Sequence, residues 1–144
     1  MAGINYDQLV IRFPDGEVIP PIMNRQIPSM TMISDSLIPG VNYYLEGGWI
    51  YNMPEPNPGV YEMVHKNYDE LLLHIGGNSR SPYDLGAEIE FELGGKSYTL
   101  NTTSSVWLPK GAKQGPIKWK KVVRPHIELS IIVDCGDAKK IYGL

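Results

Sequence analysis

The chain has a single cysteine, Cys135, which rules out an internal disulfide framework. No stretch approaches the roughly twenty apolar residues that a helical membrane span needs. The opening residues, MAGINYDQLVIRF, lack both the basic flank and the unbroken apolar run of a secretion signal. A cytoplasmic location and no membrane partner are the expectation. Basic charge is also in short supply. Lys and Arg number 13 against 16 Asp and Glu, a net charge of −3, so no attraction to nucleic acid is expected. Helical periodicity is hard to find, so no helix is expected. No glycine-rich phosphate loop opens a helix, and no G-x-S-x-G turn marks a serine nucleophile. Cys135, at the end of an apolar run, reads as a small inert hydrophobe.

What is present is punctuation and alternation. The 15 glycines and 12 prolines are scattered along 144 residues, which suits many short strands joined by turns. The clearest strand pair covers residues 87–101. Ala87, Ile89, Phe91 and Leu93 alternate with Glu88, Glu90 and Glu92, and Gly94-Gly95 supplies a two-residue turn. Folding there sets Glu92 against Ser97, Phe91 against Tyr98, Glu90 against Thr99 and Ile89 against Leu100. Like meets like, and a slip of one residue would turn the apolar set outward. Further strands are expected at 8–13, 29–34, 47–51, 60–65, 70–75, 104–108, 117–123 and 126–133. Residues 14–28, with four prolines, should be irregular or extended. Residues 52–59 read as a stiff connection and 76–85 as a surface loop. About ten short strands and no helix predict an all-β sandwich or barrel in one domain, 1–144.

Several side chains carry candidate chemistry. In a strand Glu70, Leu72 and His74 share one side, with His74 roughly 13 Å from Glu70 along the chain, too far to share an ion. His74 either lines a pocket or is a core histidine satisfied by a backbone carbonyl. Lys118 either faces inward, pairing with Glu70 or an anionic substrate, or lies on a solvated face with Ile117 and Trp119 inward. Residues 110–121 hold five lysines and no acid, which reads as a charged rim. Glu88, Glu90 and Glu92 form a carboxylate row suited to cross-strand ion pairs. Trp49, with Tyr43, Tyr44, Tyr51 and nearby methionines, is either an apolar pocket lining or ordinary core.

Two ordered patterns stand about fifty residues apart: Gly59, His65, Glu70 and Gly77, then Pro109, Gly111 and Gln114. They resemble the two motifs of the cupin family, G-x5-H-x-H-x3–4-E-x6-G and P-x-G-x-x-H. Counted forward from Gly59, His65 is the first histidine and Asn67 replaces the second. Counted back from Glu70, His65 is the second, Met63 replaces the first, and the spacing to the glutamate stays intact, which is the preferred register. Gln114 stands where the third histidine belongs.

The resemblance implies a double-stranded β-helix, a jelly-roll barrel, over residues 47–133. The N-terminal 46 residues would add strands that pack outside the barrel or on a partner, and a homodimer that exchanges or extends them is expected. It also implies an Fe, Mn, Ni, Cu or Zn ion at His65, Glu70 and Gln114. The residues themselves offer Glu70, a general base if desolvated, and Lys118, if it faces inward beside Glu70, as the catalytic candidates. One imidazole, one carboxylate and a neutral amide oxygen form a poorer set than three imidazoles and a carboxylate. Two functions follow as expectations. One is a metal-dependent oxygenase, isomerase or decarboxylase acting on a small organic molecule. The other is a metal-free cupin that binds a small ligand, with Glu70, His74, Gln114 and Lys118 as polar contacts and Trp49 in the lining.

Overall fold

The computed structural model describes residues 3–12, 22–58 and 61–142. Its ten strands are β1 (Met23–Arg25), β2 (Met30–Ile33), β3 (Tyr43–Glu55), β4 (Met63–Val64), β5 (Asp69–Gly76), β6 (Asp84–Leu93), β7 (Lys96–Thr102), β8 (Ser104–Leu108), β9 (Lys113–Val122) and β10 (His126–Val133), followed by a short helix, α1 (Ala138–Tyr142). They form two antiparallel sheets. One runs β1-β3-β10-β5-β8, with β2 also paired to β3; the other runs β4-β9-β6-β7. The sheets face each other, and the core between them is built from Ile50, Leu72, Leu85, Ala87, Ile89, Phe91, Leu108, Ile117 and Trp119. This is the all-β architecture that the alternation predicts, in the two-sheet jelly-roll form that the resemblance implies.

The hairpin has the register read from the sequence, with Glu92, Phe91, Glu90 and Ile89 opposite Ser97, Tyr98, Thr99 and Leu100. Gly94 and Gly95 both have positive φ, 60° and 81°, which a two-residue turn of this hand requires. Lys120 ion-pairs with Glu90 at 3.1 Å, and Glu88 stands opposite Lys121, so the glutamate row is the solvated, lysine-matched face expected of it.

Other expectations need correction. No strand forms at 8–12: Tyr6–Leu9 is a 3-10 helix and residues 10–12 are irregular, while residue 13 lies outside the described residues. The strand at 47–51 extends in both directions to 43–55, into the stretch read as a stiff connection. Within 14–28, of which residues 14–21 lie outside the described set, β1 forms and pairs with β3. The strand at 60–65 shortens to Met63–Val64; Gly59 and Val60 also lie outside the described residues. Residues 138–142 form a short α-helix that a reading without helices omits. It packs Ala138 and Ile141 against Tyr44, Tyr68 and Ile132.

Candidate functional site

Three strands bring the motif residues together. Glu70, at the start of β5, faces the interior with Leu72 and His74, because the burial along this strand alternates with period two. Met63 of β4 pairs with Gln114 of β9, so His65, two residues beyond, arrives beside Glu70. His65 and Gln114 each contact Oε1 of Glu70, the imidazole Nε2 at 3.2 Å and the amide nitrogen at 3.1 Å. Ser130 of β10 donates to Oε2 at 2.5 Å. An ionised carboxylate only accepts, so His65 carries its proton on Nε2 and Gln114 turns its NH2 toward Glu70. Burial alone would push the Glu70 carboxyl up, but hydrogen bonds from His65, Ser130 and Gln114 hold it below its ordinary value.

The surroundings are part apolar and part polar. The Tyr68 ring lies 4.6 Å from the imidazole of His65, and its hydroxyl donates to the carbonyl of Ile141 at 3.3 Å. Burial, with negative charge from Cys135 and Glu70, pushes the Tyr68 phenol up. Glu46 lies directly across from Ser130 on β3, buried, and accepts from the hydroxyl of Tyr44 at 2.9 Å.

A second polar layer lies further along the same strands. Glu128 of β10 stands opposite His74 of β5, and its Oε1 pairs with Arg25 of β1 at 2.5 Å. His74 is wholly buried, its Nε2 3.7 Å from Glu128 Oε2, and neither of its nitrogens has a hydrogen-bond partner among the described residues. His74 is therefore interior, as its alternation with Glu70 implies, but no backbone carbonyl satisfies it. His126, also wholly buried, accepts from the indole N–H of Trp119 at 3.1 Å. Burial holds both imidazoles below their ordinary value. Glu128 opposes that for each, and the neighbouring His74 adds to it for His126, which falls to about 4. His126, Glu128, Ser130, Glu46 and Arg25 escaped the sequence reading. The signal was the spacing H-x-E-x-S in 126–130, which puts three polar side chains on one face of a strand.

Two candidate residues are not in the interior. Lys118 is exposed and lies opposite Glu90 on the outer side of the four-stranded sheet, while Ile117 and Trp119 are buried. Gln114 and Lys118, four apart, would share a face on a regular strand. A register shift between the Phe91–Ile117 and Leu93–Gln114 pairs, where Gly115 takes φ 87°, changes the parity and turns Lys118 out. It does not reach Glu70. Trp49 is 36% exposed on the outer side of the six-stranded sheet, beside Tyr51, Gly77, Arg124 and Pro125, and it does not line the interior.

The donor set does not fit the Fe, Mn, Ni, Cu or Zn ion that the resemblance implies. Among the described residues no group of three or more His, Cys, Asp or Glu side chains is placed to hold an ion. His65 and Gln114 turn N–H groups toward Glu70, and both carboxylate oxygens already accept hydrogen bonds. Metal ligation needs lone pairs where these groups present protons.

No protein-family model matches the chain, and no curated protein matches it. Solved structures do. A predicted oxalate decarboxylase from Thermotoga maritima aligns with a TM-score of 0.53 at 12% identity, over 73% of this chain and 77% of that one. KdgF from Halomonas sp. aligns with a TM-score of 0.53 at 11% identity, over 93% of each chain. A cupin protein from Bacteroides fragilis aligns with a TM-score of 0.51 at 11% identity, over 88% of this chain and 89% of that one. This chain has the cupin fold. At such identities the likeness is one of architecture, and the chemistry must be read from the residues in place. Among the described residues no helix is long and apolar enough to cross a membrane.

Proposed function

We propose that this cupin binds a small polar organic molecule beside Glu70 and uses hydrogen bonds where metal-bearing cupins use an ion. The observation that carries the reading is the fully engaged carboxylate: His65, Gln114 and Ser130 all contact Glu70, on three different strands or their extensions. Three converging donors fix a buried charge in one orientation, which is how a binding site is held rigid. With its NH2 spent on Glu70, Gln114 keeps its amide oxygen as an acceptor. The test has two parts. Protein purified without a chelating tag should contain no stoichiometric Fe, Mn, Ni, Cu or Zn by elemental analysis. A thermal-shift panel of small sugars and organic acids should include compounds that raise the melting temperature of the wild type and not of Gln114→Leu. Stoichiometric metal that disappears in His65→Ala would overturn the reading.

A second reading, proton transfer of the isomerase type, is favoured by one feature. Because His65 donates its Nε2–H to Glu70, the lone pair of its ring lies on Nδ1, where a general base needs it. Glu70 would be the orienting carboxylate. Deuterium wash-in from D2O into a stabilising ligand, lost in His65→Gln, is the expected signature.

A further inference from the structure

We infer that His74 and Glu128 form a second binding site inside the barrel, one that takes a hydroxyl group of a small neutral alcohol or polyol. The two residues stand opposite each other on β5 and β10. His74 is wholly buried and Glu128 is 6% exposed. Among the described residues, neither ring nitrogen of His74 has a hydrogen-bond partner, and nor has Oε2 of Glu128. Buried polar atoms left unmet are costly, and three of them meet here. They do not satisfy each other. Nε2 lies 3.7 Å from Oε2, beyond the roughly 2.7–2.9 Å of a charge-assisted hydrogen bond. A single oxygen set beside both atoms would serve both.

This site is separate from the one at Glu70. His74 follows Glu70 by four residues on one face of β5, roughly 13 Å along the strand. Leu72, between them on that face, belongs to the hydrophobic core.

The chemistry of the pair selects the ligand. A carboxylate only accepts, so the occupant must donate to Oε2. Burial keeps the His74 imidazole below its ordinary value, and the ring is neutral at pH 7. Its one N–H is best placed on Nε2, which faces the negative oxygen, so the occupant must also accept. A hydroxyl does both with one atom. An ammonium group has no lone pair to accept with. A carboxylate has no proton to donate, and it would set a second negative charge against Glu128. Arg25 already pairs with Oε1 of Glu128 at 2.5 Å, so the pair has no net charge to draw an ion. Beside it the rings of Trp119 and His74 meet edge to face, with centroids 6.0 Å apart and planes at 70°. An apolar wall next to one donor and one acceptor suits a carbon skeleton that carries a hydroxyl.

The pair is reached from the β1 edge of the sheet. The Arg25 side chain is 20% exposed, and it crosses β3 to reach Glu128 where Gly48 stands opposite. Glycine is needed at that point, since a Cβ would lie 2.9 Å from the side-chain oxygen of Gln26. Arg25 and Gln26 form the rim there.

The test labels the three histidines with 15N and titrates the protein with ethylene glycol. The two His74 resonances should shift saturably, and acetate and methylammonium, probes of similar size, should leave them in place. His74→Phe keeps a ring and removes both nitrogens. It should weaken diol binding about tenfold or more, read by saturation-transfer NMR on the diol protons. Glu128→Gln leaves His74 observable and should weaken the 15N response as much, which keeps the test open where His74→Phe does not fold. Gln114→Leu, at the other site, should leave diol binding unchanged. A titration without a saturable His74 shift overturns the inference, as does an equal response to acetate or methylammonium. So does a resident water, seen as a slowly exchanging cross-peak to His74, that the diol does not displace. Diol binding that survives in a folded His74→Phe, or is lost in Gln114→Leu, assigns the diol elsewhere and overturns it as well.

Discussion

Lowering the pH from 7 to 5 should destabilise this fold through its two buried imidazoles. His74 and His126 are wholly buried, and burial is the main cause that holds both below the ordinary imidazole value, His126 at about 4. For His126 the cause is visible in a bond: its Nε2 accepts from Trp119, and a proton there would displace that donor. In the unfolded chain a histidine titrates near 6.5, so between about 6.5 and 4 the unfolded state binds a proton that the folded state refuses. The stability is therefore fully present above pH 6.5 and falls as the pH falls through this window. With values of about 4 folded and 6.5 unfolded, the binding ratio at pH 5 is roughly thirtyfold, about 2 kcal/mol from His126 alone. His74 acts in the same direction. Glu70, whose carboxyl is lowered, loses its contribution only below its unfolded value near 4.5, so it leaves the window from 5 to 6.5 clear. Urea unfolding followed by circular dichroism at pH 7, 6 and 5 should show the midpoint falling with an unchanged slope. His126→Gln, which keeps an acceptor for Trp119, should flatten the dependence. A wild-type stability constant to within about 0.5 kcal/mol across that range, or an NMR titration placing His126 near 6.5, would refute the reasoning.

Two further outcomes test the assignment of faces. Lys118→Met should change stability by no more than about 0.5 kcal/mol in urea unfolding and leave ligand-induced thermal shifts intact, because the side chain is exposed. Phe91→Ala, at a buried position in the central cluster, should cost about 3–5 kcal/mol in the same assay.

The legible parts of the fold are those where local signals agree. In the 87–101 hairpin, alternation, glycine turn and cross-strand matching all point to one register, and that register is the one found. The convergence of His65, Glu70 and Gln114 was legible through motif spacing, since a residue two places beyond a paired strand position and one at the start of the next strand end up side by side. Parity beyond a bulge was not legible. Counting by twos from Gln114 puts Lys118 inside, and only the shift at Gly115 reverses it. The residue that makes the shift carries no side chain to signal it.

The polar residues of β10 were missed for a different reason. Ordinary alternation puts apolar side chains in and polar ones out, and β6 follows it. In β10 the sense is reversed: His126, Glu128 and Ser130 point inward, while Ile127, Leu129 and Ile131 point outward. Strand β5 carries half of the same inversion, with Glu70 and His74 inside and Leu71, Leu73 and Ile75 outside. Read by the usual rule, such strands present their polar set to water. The inward polar side chains of an inverted strand are stable only where hydrogen bonds or ion pairs inside the barrel meet them. The polar lining around Glu70 and Glu128 and the outward Leu71, Leu73, Ile127, Leu129 and Ile131 are thus two faces of one alternation.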